Sequence, residues 1–159
     1  MKFFLFTRFI CNVKKTFRIN RSSSVTIMLS KASLMRDYET YDDLIARART
    51  PHEAKRLGRR VSNWNETLWK DTVCEIAVSV VSQKVDSDPF IKDLLLSTGD
   101  KIIAEMTAND QNWGTGVSIG SQNQNIPQNW TGSNILGWAL MHVRHKLQSE
   151  NQSFVSQRR

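Results

Sequence analysis

Within the stretch EMTANDQNWGTG, residues 105–116, five side chains or glycines have types that could do chemistry together. Glu105 and Asp110 are carboxylates. Trp113 follows the second by three residues, and Gly114 and Gly116 come directly after it. A carboxylate walled by an indole loses water, which raises its pKa and suits it to proton transfer as a general acid or base. Trp113 could stack on a base, a sugar or a nicotinamide ring. Gly114 and Gly116 would let the main chain come close to a ligand. The same spacing also fits a plainer arrangement, with Glu105 solvated at the end of a strand, Asp110 closing an Asx turn and Trp113 filling the core. Spacing alone favours the plainer one.

A second candidate is HEAKRLGRR, residues 52–60. Lys55 and Arg59 are four apart on a short helix, share a face and could hold a phosphate, although a solvated basic face needs the same residues. His52, His142 and His145 show no metal-like spacing with a second ligand, so no metal site is expected. There is no Gly-rich phosphate loop and no Gly-x-Ser-x-Gly turn.

The elements that must position these residues follow from periodicity. Ile27, Met28, Leu34 and Met35 predict a helix over 25–36, and Tyr41–Arg47 a short second one. TPHE predicts a capping box with Thr50 as N-cap, Pro51 at the first helical position and Glu53 reaching back, for a helix ending at Gly58. From Asn65 to Lys84 the apolar positions Leu68, Trp69, Val73, Ile76, Ala77, Val80 and Val81 recur at three and four, so one face is buried. Asp88 caps the next helix, Phe90, Ile91, Leu94 and Leu95 face inward, and Gly99 ends it. KIIAEM predicts a strand over 101–106. Residues 109–132 form a long polar loop or hairpin. The last helix is capped by Ser133 and buries Ile135, Leu136, Ala139, Leu140, Val143 and Leu147, with a frayed tail after Gln148.

A chain of 159 residues suits one domain. Its net charge of +7 is unevenly placed: residues 1–36 hold eight of the 22 basic side chains and none of the 15 acids, leaving 14 against 15 for the rest. The body therefore has no global field to draw it to nucleic acid. The segment 1–23 is basic, acid-free and amphipathic, as in a mitochondrial transit peptide or a chain start foreign to the fold. The expected compartment is the cytoplasm, or the mitochondrion if that segment is a transit peptide. No apolar run reaches the roughly 20 residues of a membrane span, so no membrane is expected as a partner. Cys11 and Cys74 form no disulfide framework, and Cys74 is expected as a reduced, buried thiol.

Four blocks, KASLMRD, ARTPHEAKRLGRRVSNW, LLLSTGDKIIAEMTANDQNWGTG and TGSNILGWALMHVR, occur in the order and spacing of the NADAR family (NAD- and ADP-ribose-associated domains). The resemblance runs over residues 24 to 147. It implies an α+β, mostly helical fold, a single domain over 24–148 with a small sheet, followed by a polar tail over 149–159. It also implies hydrolysis of an N-glycosidic bond in a ribosylated base, either a phosphoribosylamino-pyrimidine intermediate of riboflavin synthesis or an ADP-ribosylated base. Carried over by residue, Glu105 and Asp110 become the site carboxylates and Trp113, with Gly114, meets the ligand. Asn134 orients polar groups of the ribose or base, and Lys55 and Arg59 hold phosphate with Lys31 nearby. Carboxylates that activate water and steady an oxocarbenium-like sugar need no metal or redox cofactor. The implied partner is a small ribosylated base or ADP-ribose, with nucleic acid entering only as an ADP-ribosylated substrate.

The chain departs from the family pattern in one block. The family has an upstream strand and a glutamate seven residues before the Lys-Ala pair; here that position is Ser24 and the strand block is absent, so the domain is expected to be incomplete at its N-terminus. The departure raises a second expectation, a non-catalytic ADP-ribose or nucleotide-binding module on the same fold.

Overall fold

A computed structural model describes residues 3–5 and 22–156. Of the transit-like segment 1–23 only Phe3–Leu5, Ser22 and Ser23 are described, and Cys11 lies outside the described residues. The elements run β1 (Phe3–Leu5), α1 (Ser23–Leu34), α2 (Tyr38–Arg47), α3 (Pro51–Gly58), α4 (Glu66–Ser87), α5 (Pro89–Ser97), β2 (Ile102–Ala104), a turn of 3-10 helix (Pro127–Asn129) and α6 (Ile135–Ser156). The fold is thus mostly helical, as the periodicity predicts, with the small sheet that the resemblance implies. The chain divides into two compact units, 17–80 and 1–16 with 81–159, the boundary falling inside α4.

In the unit 17–80, α1 packs on both α2 and α3. Val25, Ala32, Met35, Leu44, Ala48, Ala54, Leu57 and Val61 form its core, with Met28, Tyr41 and Trp69 against it. The turns are fixed by local chemistry. Asp37 caps α2 by accepting the Thr40 N–H at 2.9 Å, and its other oxygen accepts the Ser62 N–H at 2.7 Å. Thr50 and Glu53 form the predicted capping box under Pro51.

In the other unit, β1 pairs with β2 in parallel, Phe3 opposite Ile102, Phe4 opposite Ile103 and Leu5 opposite Ala104. A short strand therefore stands upstream, a correction to the expectation that this chain lacks the strand block of the family pattern. Ile91, Leu95, Ile103, Ala139, Leu140, Val143 and Leu147 are buried. Arg144 is buried as well and ties α6 to the end of α5, donating to Thr98 Oγ1 at 2.7 Å and to the Lys101 carbonyl at 2.8 Å. Asp88 caps α5, and Gly99 follows its end in the left-handed region at φ 56°.

Several expectations are corrected. Phe90 is 69% exposed, because Ile91 and Leu95, four apart, take the buried face and Phe90 stands about 100° round the helix from it. Leu68, in the first turn of α4, is exposed rather than buried, whereas Val73, Ala77, Val80 and Val81 are buried as predicted. Cys74 is half-buried. The strand is three residues rather than six, and α6 continues past Gln148 to Ser156. Ser133 is not the residue before α6; Asn134 is, at φ 50°.

Candidate functional site

Glu105 is the first residue beyond β2. Its main chain is held on both sides: its N–H donates to Asn134 Oδ1 at 2.9 Å, and its carbonyl accepts the Thr115 N–H at 2.9 Å. One carboxylate oxygen, Oε2, is buried. The acid at the strand exit is therefore a partly desolvated group on a fixed backbone, the setting that the sequence chemistry requires of a proton-transfer residue.

Asp110 uses Oδ1 to accept the N–H groups of Asn112 at 3.2 Å and Trp113 at 2.9 Å, which is the Asx turn of the plainer arrangement. Its carbonyl accepts the Gly114 N–H at 3.1 Å. Gly114 is buried, and the close approach it permits is made by the chain itself. A Cβ there would lie 2.4 Å from Thr107 Cγ2 and 2.9 Å from the carbonyl oxygens of both Asp110 and Glu105. Trp113 is half-buried.

This loop also closes the start of α6. The carbonyls of Gln111, Gly114, Asn112 and Trp113 accept, in turn, the N–H groups of Ser133, Asn134, Ile135 and Leu136 at 2.7, 2.9, 3.2 and 3.2 Å. The last three of these are donors that the start of α6 leaves without intrahelical partners, and Ser133 lies just outside the helix. The N-terminus of α6 is therefore occupied by peptide carbonyls. Asn134 is buried and its amide is committed inside the fold, Oδ1 to Glu105 and Nδ2 donating to the Ile103 carbonyl at 2.9 Å. Glu105, Asp110, Trp113, Gly114 and Asn134 thus come together around the end of β2.

Lys31, Lys55 and Arg59 belong to the unit 17–80. Lys31 is half-buried, donates to the Gly58 carbonyl at the end of α3 at 2.8 Å, and lies 4.6 Å from the centre of the Trp64 ring. Burial pushes its ammonium below the ordinary lysine value. The carbonyl is a helix C-terminus, where a cation is favourable, and the indole face adds a cation–π contact. Lys55 and Arg59 are exposed on α3 and at its exit. Trp64 is the residue that sequence chemistry passed over. It is 47% exposed, with its ring 5.8 Å from that of Trp69. Its signal was an indole six residues beyond Gly58, in a stretch with no periodicity to place it. Among the described residues no cluster of His, Cys, Asp or Glu has metal-binding geometry, and no helix is long and apolar enough to cross a membrane.

Comparison with known proteins supplies the lineage. Residues 7–148 match the NADAR domain, reaching further towards the N-terminus than the four sequence blocks. The chain is 40% identical over 95 residues to an N-glycosidase of Acanthamoeba polyphaga mimivirus, covering 59% of this chain and 55% of that one. It is 27% identical over 132 residues to the chloroplastic riboflavin biosynthesis protein PYRR of Arabidopsis thaliana, covering 79% of this chain and 20% of that one. The chain thus spans about half of the viral relative and a fifth of the plant one. The NMR structure of the E. coli protein YbiA superposes with a TM-score of 0.64 at 24% identity, over 82% of this chain and 69% of that one, which shows a shared fold. With the domain match spanning nearly the whole of the described chain, the protein belongs to the NADAR family.

Proposed function

We propose that the chain hydrolyses the N-glycosidic bond of a ribosylated base, with Glu105 as the proton-transfer group. The observation that carries this is the placement of Glu105 at the exit of β2, its Oε2 buried and its main chain hydrogen-bonded on both sides. Family membership and a relative named as an N-glycosidase support the reaction class. In the proposed step, Glu105 accepts a proton from water as the water oxygen bonds to C1′. The C1′–N bond breaks with its electron pair going to the base nitrogen, which takes up a proton. Trp113 stacks on the base. The plant relative is named as a riboflavin biosynthesis protein, which favours a phosphoribosylamino-pyrimidine as substrate.

The test measures ribose 5-phosphate release from a phosphoribosylamino-pyrimidine by the wild-type chain and by Glu105→Gln. General-acid/base loss predicts a fall in kcat of about 100-fold or more with KM nearly unchanged. An unaltered kcat removes Glu105 from the mechanism. One observation favours the second reading, a binding module: the Asp110 oxygen that meets the turn is committed to main-chain N–H groups. Calorimetric binding of ADP-ribose without release of any base would establish it.

A further inference from the structure

We propose that Asn134 is a positioning residue for Glu105, standing in for a neighbouring strand along one edge of β2; this rests on the reading of Glu105 as the proton-transfer group. In a strand, the carbonyl of one residue and the N–H of the residue two further on point to the same side and pair with the adjacent strand. Here those two groups are the Ile103 carbonyl and the Glu105 N–H, and a single carboxamide satisfies both at 2.9 Å. Sheet pairing on this edge of β2 is replaced by the start of a helix.

The rest of Asn134 is arranged for this task. Its φ of 50° lies in the left-handed region, which asparagine tolerates better than most residues with a side chain. Its own N–H donates to the Gly114 carbonyl at 2.9 Å, and its carbonyl accepts the Trp138 N–H at 2.9 Å. The side chain therefore leaves capping of α6 to the loop carbonyls and reaches to the strand instead. Gly137, the next residue but two, makes the approach of α6 possible. A Cβ there would lie 2.2 Å from the Ile103 carbonyl oxygen and 2.4 Å from Asn134 Nδ2.

The chemical consequence lies at Glu105. A proton-transfer group works within a hydrogen-bond distance of its target, and a displacement of about 1 Å can cost about 100-fold in rate. Asn134 and Thr115 fix the two peptide groups from which the Glu105 side chain springs. Asn134 touches no reacting atom in this scheme and acts through Glu105 alone.

The experiment compares the full chain with Asn134→Ala, Asn134→Asp and Glu105→Gln. It reads amide hydrogen exchange at Glu105 by NMR and kcat and KM for a phosphoribosylamino-pyrimidine. Asn134→Ala is expected to speed exchange at the Glu105 amide while leaving Val143, deep in α6, protected. It should lower kcat by about tenfold or more with KM within about twofold. Asn134→Asp keeps an acceptor for the Glu105 N–H and loses the donor to Ile103, so it should recover part of both losses. Should Asn134→Ala not fold, Asn134→Asp against wild type carries the same comparison. Unchanged Glu105 exchange in Asn134→Ala overturns the clamp. Lost protection with wild-type kcat, while Glu105→Gln is inactive, overturns the positioning role. A wild-type chain without turnover overturns the assignment of Glu105 instead, and the exchange data then test the clamp by themselves.

Discussion

Replacing Asp37 by asparagine removes an anion that joins two turns of the unit 17–80. Asp37 is buried, with Oδ1 on the Thr40 N–H at 2.9 Å and Oδ2 on the Ser62 N–H at 2.7 Å. The main-chain bond from Thr40, then that from Ser62, hold its carboxyl at about 2, below an ordinary value of 3.8, against the opposing effect of burial. At roughly 1.4 kcal/mol per pH unit, that difference corresponds to about 2 kcal/mol of stability. The sign follows from the depressed native value: the contribution is fully present above pH 3.8 and is lost as pH falls from there through about 2. Asparagine leaves one oxygen for two donors and turns its NH2 towards the other N–H, so a donor is stranded. Urea unfolding can be followed by tryptophan emission, to which Trp64 and Trp69 of this unit contribute alongside Trp113, Trp130 and Trp138 of the other. At pH 6 the wild type should be more stable than Asp37→Asn by about 2 kcal/mol, and most of the gap should close by about pH 2. A gap of constant size across that range would show that side-chain shape, not the carboxylate charge, joins the turns. No gap at pH 6 would refute the hydrogen-bond account altogether.

Trp113→Ala should abolish binding of a ribosylated base while leaving helical circular dichroism nearly unchanged, since alanine keeps the N–H and carbonyl by which residue 113 joins Asp110 and Leu136. Loss of fold would instead make the indole core. Gly137→Ala should lower Tm more than Gly58→Ala, since the first places a Cβ 2.2 Å from a main-chain oxygen and the second 2.1 Å from the flexible Met28 Sδ. An overpacking cost of about 1–3 kcal/mol is expected for the first, and equal shifts in Tm would contradict the contrast. Because burial lowers the Lys31 pKa, its ammonium should leave the Trp64 face at a pH below 10.5. Tryptophan emission should change there in the wild type and stay flat in Lys31→Met.

What the sequence made legible was local. The box at Thr50–Glu53, the Asp88 cap and the left-handed Gly99 are each settled within a few residues, and each stands as predicted. Long-range partners were not legible. Ser133 has the type and place of a cap, yet its N–H is taken by the Gln111 carbonyl, 22 positions back along the chain, and the residue before α6 is Asn134. Asn134 illustrates the same limit at the candidate site. Its type suggests contact with a polar ligand, but its amide is turned to Ile103 and Glu105, about 30 residues away. Phe90 failed for a different reason: in a nine-residue helix starting at Pro89, two adjacent apolar residues cannot both face the core, and the sequence does not say which will.

The loop that meets α6 has a consequence for evolution. From Gln111 to Thr115 every carbonyl is engaged by the chain, and so are the N–H groups of Asn112, Trp113, Gly114 and Thr115, while the side chains of Gln111 and Asn112 point out to solvent. Architecture here is written in the peptide backbone, and the exposed side chains carry none of it. The ordering entropy of the loop is spent during folding rather than at the encounter with a ligand. On the proposed reading of the site, single substitutions at 111 and 112 would change what the loop presents while leaving these main-chain bonds in place.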